Sequence, residues 1–335
     1  MYIYLYSCCI PVKGAGQSII CDLQRNDYEI IPNSLYEILT NLEDERSLDN
    51  ILKKFDEESQ EIFHSYIEFL LEREFIFIDD HIHDRFSPID IEKFETPNVI
   101  SNAIIEYNGS YSLSAMKNII EQLDYLRCES IEIRLYDFPT SATIGKILSL
   151  FNETGIRSIN LIANYQIFMT ELYFENISKK YRRVREVGLF NNNKRINIKN
   201  RLFPIYFLEG EKVSEKYCGC ISPRAFYVNM QNFTESRQFN SCLNKKISVD
   251  IDGNIKNCPS MSSSFGNIFN SDLETVSAID EFKSLWSVSK DNVKICQDCE
   301  FRYICTDCRA YTVDSEDELS KPLKCNYNPY TNEWI

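Results

Sequence analysis

The stretch KICQDCEFRYICTDCRAY, residues 294–311, sets four cysteines at Cys296, Cys299, Cys305 and Cys308. Both pairs are C-x2-C, a spacing that lets two sulfurs converge on one metal or cluster while the intervening amides point at them. Thiolates that share a metal must fold to one place, so this pattern constrains the chain more than any other. A fifth cysteine follows at Cys325, and upstream the run CLNKKISVDIDGNIKNC carries Cys242 and Cys258. Asp252-Gly253 reads as a hairpin turn between the alternating runs KISVDI and NIKNC, which returns Cys258 toward Cys242. The whole pattern is C-x10-G-x4-C, a gap, C-x2-C-x5-C-x2-C, a gap, and a last C. Seven cysteines nearly fill two four-thiolate sites, and YCGC offers an eighth at Cys218 or Cys220. The spacing leaves two readings open: two structural zinc sites, or two iron–sulfur clusters, each held by four cysteines.

Composition narrows the compartment. With 50 acidic and 36 basic residues the net charge is −14, so phosphate backbones repel the chain and nucleic-acid binding is not expected. The N-terminus MYIYLYSCCIPVKG lacks a basic leader and a long apolar core, and no apolar run is long enough to cross a bilayer. A cytoplasmic protein without membrane contact is expected, in which thiols stay reduced and a disulfide framework is out of place. Of the 13 cysteines, nine fall after residue 217, so the enrichment belongs to one region.

A chain of 335 residues suggests two or three domains at roughly 150 residues each. Residues 1–80 read as a winged-helix-like module of α/β character. YIYLYSCC is strand-like, PVKGAGQ reads as a turn, and SIICDLQ and YEII are further strands. Asn33 and Ser34 offer caps for LYEILTNL, Ser47 caps SLDNILKKF, and EESQEIFHSYIEFLLERE is amphipathic before the strand EFIFID. Residues 81–97 have no period and read as a linker. Over 98–210, strands NVISNAIIEY, IEIRLY, SINLIAN and REVGLF alternate with helical patterns, which argues for parallel βαβ units in a partial βα barrel or open sheet. Residues 211–335 form the cysteine-rich remainder.

The cysteine pattern resembles the SPASM domain, the cluster-binding C-terminal extension of many peptide-modifying radical SAM enzymes. That family's pattern is C, then G-x4-C, a gap, C-x2-C-x5-C-x3-C, a gap, and C. This chain matches all seven cysteines and Gly253, and departs at the x2 spacing before Cys308. The resemblance implies two auxiliary [4Fe-4S] clusters with interleaved ligation. Cys242, Cys258 and Cys308 fall to the first, and Cys296, Cys299, Cys305 and Cys325 to the second. Cys218 is the candidate fourth ligand of the first, with Cys220 or an open iron as alternatives, and zinc remains the alternative metal for the whole set.

The SAM-binding parts of that family have no counterpart. The loop after the first barrel strand, IIEYNGSYSLSAM, has no cysteine, C-x3-C-x2-C occurs nowhere, and IRLYDFPTS lacks the glycines of the family's second turn. The middle of the chain thus resembles a degenerate radical SAM core, and no SAM is expected. The layout is similar to the SPASM-containing peptide maturase of grasp-with-SPASM systems. That resemblance implies a precursor-peptide partner whose leader binds residues 1–80 by strand addition, and an ATP-grasp ligase as second partner. The function expected is a maturation factor for a ribosomally synthesised, post-translationally modified peptide. A cluster-based redox or peptide-modifying enzyme and a structural zinc adaptor are the alternatives.

Other residues are read more plainly. Cys8, Cys9, Cys21 and Cys128 read as structural thiols, and His81 and His83 as solvated side chains. Arg302 and Arg309 lie beside the cluster cysteines and either donate to sulfur or pair with Glu300 and Asp307. With three histidines and ten glycines there is no Ser/His/Asp set, P-loop or dinucleotide fingerprint, and the sequence names no catalytic residue.

Overall fold

The computed structural model describes every residue except 43, 84–88, 90–94, 192–197, 199 and 211–217. Most of the expected linker and the first residues of the cysteine-rich unit lie outside the described residues.

The N-terminal chain forms β1 (Tyr2–Leu5), β2 (Cys9–Lys13), β3 (Ser18–Asp22), β4 (Asp27–Ile31), α1 (Asn33–Asn41), α2 (Leu48–Leu52), α3 (Glu57–Glu72) and β5 (Ile76–Asp79). YIYLYSCC is not one strand: the chain turns after β1, where Cys9 N–H donates to the Tyr6 carbonyl at 2.8 Å. β1 is drawn to β5 in antiparallel pairing, while β2, β3 and β4 make a separate antiparallel meander. Lys13 therefore still belongs to a strand, and the turn moves on to the glycines. A Cβ on Gly14 would lie 2.5 Å from the Gln17 carbonyl and 2.9 Å from the Glu300 amide, so only glycine fits the turn against the C-terminal chain. Ser47 caps α2, but neither Asn33 nor Ser34 caps α1, which begins after Pro32. The Asn33 side chain is used elsewhere: it accepts from Ser18 Oγ at 2.5 Å and donates to the Gly14 carbonyl at 3.3 Å. Phe63, Ile67 and Leu70 of α3 pack with Leu35 and Leu39 of α1 over Ile3 and Ile20.

The central chain alternates as its periodicity suggests: β6 (Asn102–Tyr107), α4 (Leu113–Tyr125), β7 (Ser130–Leu135), α5 (Ser141–Ser149), β8 (Ser158–Asn164), α6 (Glu171–Lys180) and β9 (Val184–Phe190). A short strand the sequence reading missed, β10 (Ile205–Phe207), joins the outer edge beside β9. Three residues are too few to show a period. After α7 (Met230–Gln238) come β11 (Lys246–Val249), β12 (Asn254–Lys256) and β13 (Gly266–Asn267). The result is a mixed α/β fold around one eight-stranded sheet, order β10-β9-β8-β7-β6-β11-β12-β13, parallel from β10 through β11. The β11–β12 hairpin thus extends the central sheet, with Val249 opposite Ile105, and the sheet takes strands from both sides of residue 210.

The two faces of this sheet differ. Ile131, Ile133 and Leu135 of β7 share one buried cluster with Ile119, Leu123 and Ile147 of α4 and α5. The alternate residues of β7 are charged: Arg134 pairs with Glu132 at 2.5 Å and Glu106 at 3.3 Å. Strand alternation puts apolar residues under the helices and the ion pairs on the opposite face.

The N-terminal meander packs onto the cysteine-rich chain. Val12, Ile19 and Cys21 share a buried cluster with Phe233, Phe301, Ile304 and Tyr327. Ala15 N–H donates to the Asp298 carbonyl at 2.8 Å, and Gln17 and Tyr327 both reach Glu300. Among the described residues no helix is long and apolar enough to cross a membrane.

A candidate thiolate metal centre

One set of sulfurs gathers beside β11. Cys242 lies in the turn between α7 and β11, where Asn240 Oδ1 accepts from the Cys242 and Leu243 amides at 3.0 and 2.9 Å. Cys258 follows β12, returned by the Asp252-Gly253 turn, with Gly253 at φ 81°. The Cys218 thiol interacts with those of Cys258 and Cys308 and stands near Cys242, whereas Cys220 is exposed. Gly219 makes this approach possible. Its φ is 68°, and a Cβ there would meet Cys308 Sγ at 2.8 Å. The contact with Cys218 holds the Cys308 thiol below its usual value and, together with burial, pushes Cys258 well above it. Lys246 of β11 extends its Nζ to 3.5 Å from Cys242 Sγ.

A second set forms around Lys290. Its Nζ, in a residue 5% exposed, lies 3.2 Å from Cys305 Sγ. The same ammonium acts on Cys296 and Cys299, and Cys325 acts on Cys296 and Cys305. Burial pushes the Cys296 thiol up to about 11 although Lys290 opposes it. Cys299 N–H donates to the Cys296 carbonyl at 3.0 Å, which closes the first C-x2-C turn. Ile295, just before it, holds φ at 69°, a strained conformation for a β-branched residue.

The second C-x2-C turn is fixed from the side. Asp307 accepts from Arg309 Nη2 at 2.6 Å and from Asn240 Nδ2 at 2.6 Å, and its amide donates to Ser241 Oγ at 3.0 Å. Asn240 therefore ties the turn carrying Cys242 to the turn carrying Cys305 and Cys308. Arg309 thus pairs with Asp307. Arg302 pairs with Asp291 at 2.9 Å rather than with Glu300, and donates to the Cys299 carbonyl at 3.0 Å. Asn240, Lys246 and Lys290 escaped the sequence reading. The signal for Lys246 is its place on the polar alternation of KISVDI, four residues after Cys242.

The candidate donor set is uniform: eight cysteines in two groups of four, with one lysine ammonium reaching each group. Among the described residues, the one group of three or more ligand atoms within 4.8 Å of one another is Cys8, Cys9 and Asp22. A tetrahedral zinc site with Zn–S bonds of about 2.3 Å brings its sulfurs to about 3.8 Å apart. No three sulfurs of either C-terminal set lie within 4.8 Å of one another. Asp22 itself is engaged by the Gln24 and Arg25 amides at 3.0 and 2.9 Å. Cys21 and Cys128 are buried, and burial pushes the Cys128 thiol up to about 12. His81 and His83 both rest on Asp79, at 3.2 and 3.0 Å.

The loop after β6 is held by contacts among its own residues and by Ser110 Oγ, which donates to the Ile251 carbonyl. Asn108 Oδ1 accepts from Ser110 N–H at 3.0 Å, and the Tyr111 ring stands against Tyr107 at 5.2 Å.

No protein-family model and no curated protein matches the chain. Among solved structures it is similar to Streptococcus suis SuiB bound to S-adenosylmethionine, at 11% identity over 96% of this chain and 98% of that one, with a TM-score of 0.32. For Streptococcus suis SuiB itself the identity is 10%, the coverage 92% and 96%, and the TM-score 0.35. For SuiB bound to precursor peptide SuiA the values are 11%, 92% and 96%, and 0.29. Scores of this size are too low to assign an activity.

Proposed function

We propose that this protein is a maturation factor for a ribosomally synthesised peptide, with two [4Fe-4S] clusters held by its C-terminal cysteines. The observation that carries the reading is the gathering of eight cysteines into two sets of four, in the pattern that resembles the SPASM domain. Cys218, Cys242, Cys258 and Cys308 would hold the first cluster, and Cys296, Cys299, Cys305 and Cys325 the second. Such a cluster, when bound, supplies reversible one-electron storage. Four protein sulfurs per cluster leave no iron open to substrate, which favours an electron-transfer or structural use. The loops after β6 and β7 contain no cysteine, so SAM is not cleaved.

The precursor's leader would bind the N-terminal chain. β2 is an edge strand of its sheet, and a groove lined by Ile3, Leu5, Ile10, Leu39 and Thr40 runs between β1, β2 and α1. An open edge beside an apolar groove suits strand addition, where backbone hydrogen bonds give affinity and a few side chains set the register. The chain then presents the precursor to an ATP-grasp ligase.

The test is anaerobic purification of the full chain with iron and sulfide analysis, then co-expression with precursor and ligase read by mass spectrometry. Two iron–sulfur clusters and a modified precursor are expected. Zinc at two equivalents without iron, even after anaerobic reconstitution, would overturn the cluster assignment in favour of a zinc adaptor.

A further inference from the structure

Each set of sulfurs has one lysine reaching into it. Lys290 Nζ lies 3.2 Å from Cys305 Sγ, and Lys246 Nζ lies 3.5 Å from Cys242 Sγ. Among the described residues neither ammonium pairs with a carboxylate. Asp307 and Glu132 act on them only at longer range, and Asp307 already holds Arg309. Burying an ammonium against neutral thiols is costly. The arrangement makes physical sense when the sulfurs carry negative charge.

We infer that Lys290 and Lys246 are charge-compensating donors, one for each cluster, which raise the reduction potentials of the clusters the cysteines hold. This rests on the cluster reading above. Four thiolates give a [4Fe-4S] core a net charge of two minus, and reduction by one electron makes it three minus. An ammonium donating to a ligand sulfur stabilises the more negative state more, so the oxidised-to-reduced balance shifts toward reduced. The electron comes from a low-potential one-electron donor, no bond breaks, and no proton moves. Lys290 is the more enclosed of the two and acts on Cys296, Cys299 and Cys305 together, so its effect should be the larger.

The experiment uses the full chain, reconstituted anaerobically, as wild type, Lys290→Met, Lys290→Arg and Lys246→Met. Iron and sulfide are measured first, then each sample is titrated with dithionite and followed by electron paramagnetic resonance. Each Met variant should keep its iron and lower the potential of one cluster, tenfold in the reduced-to-oxidised ratio or 59 mV for Lys290→Met. Lys290→Arg should stay near wild type, and Lys246→Met should shift the other signal. Fully loaded Met variants with wild-type potentials would overturn the inference and leave the cluster reading standing. Both variants moving the same signal would overturn the assignment of one lysine to each set. A wild-type chain that takes up no iron overturns both. If Lys290→Met does not load, Lys290→Gln replaces it: an unchanged potential there overturns the charge argument, and a lowered one supports it.

Discussion

The Asp307 carboxylate takes the Arg309 guanidinium at 2.6 Å, with side chains 0% and 1% exposed. This pair flanks Cys308 and, through Asn240, reaches across to the turn that carries Cys242. Two cysteines distant in sequence are thereby tied to one another.

Removing one member leaves the other buried and uncompensated. Asp307→Ala should cost about 3–5 kcal/mol of stability, read from urea unfolding under anaerobic conditions. A loss below about 1 kcal/mol would mean that the pair contributes little to the turn.

Gly219→Ala forces a left-handed residue with a Cβ into Cys308 Sγ. The strain is roughly 1–3 kcal/mol, but the clearer readout is metal content. Iron should fall by about half as the first set fails while the second loads. Full iron in this variant would argue that Cys218 is not a ligand.

Thiol reactivity should sort by burial. Under anaerobic alkylation of the native chain, Cys220 should react readily, while Cys128, pushed up to about 12 by burial, stays unmodified. Modification of Cys128 at a rate matching Cys220, seen by peptide mass mapping, would contradict its place in the core.

Glu235 gives a pH signature. Burial raises its carboxyl above the usual value, while Asn244 and Lys245 pull it down. A carboxyl raised in the folded state opposes folding at high pH, so its cost is absent below the unfolded pKa, grows as pH rises above it, and is complete once pH passes the folded one. Glu235→Gln should therefore raise Tm near about pH 7 and lose that advantage near about pH 4. An advantage that grows toward acid would reverse the sign and defeat the argument.

Leader binding can be tested at the groove beside β2. Thr40 is exposed on α1, so Thr40→Trp should fill the groove without harming the core. Full-length protein should bind the leader at micromolar affinity, roughly −8 kcal/mol, and the variant about tenfold more weakly. Unchanged binding by calorimetry would place the leader elsewhere. The full chain is needed because Val12, Ile19 and Cys21 are covered by the cysteine-rich region, and residues 1–85 alone would expose them.

Elements whose signals are local were readable from the chain alone. The 3.6-residue period of Met116, Ile119, Ile120 and Leu123 gives α4, the alternation of IEIRLY gives β7, and Asp252-Gly253 gives the hairpin before Cys258. The C-x2-C turns were equally legible, because their geometry is set within four residues. The rest was set by the folded chain. It split YIYLYSCC by sending β1 to β5, a partner over seventy residues away. It added β11 to the central sheet, set Cys218 rather than Cys220 against Cys258 and Cys308, and drove Lys290 to Cys305. None of these contacts has a period or a fixed spacing. A strand's alternation says which residues share a face, but the partner that covers that face is fixed only when the whole chain competes for it.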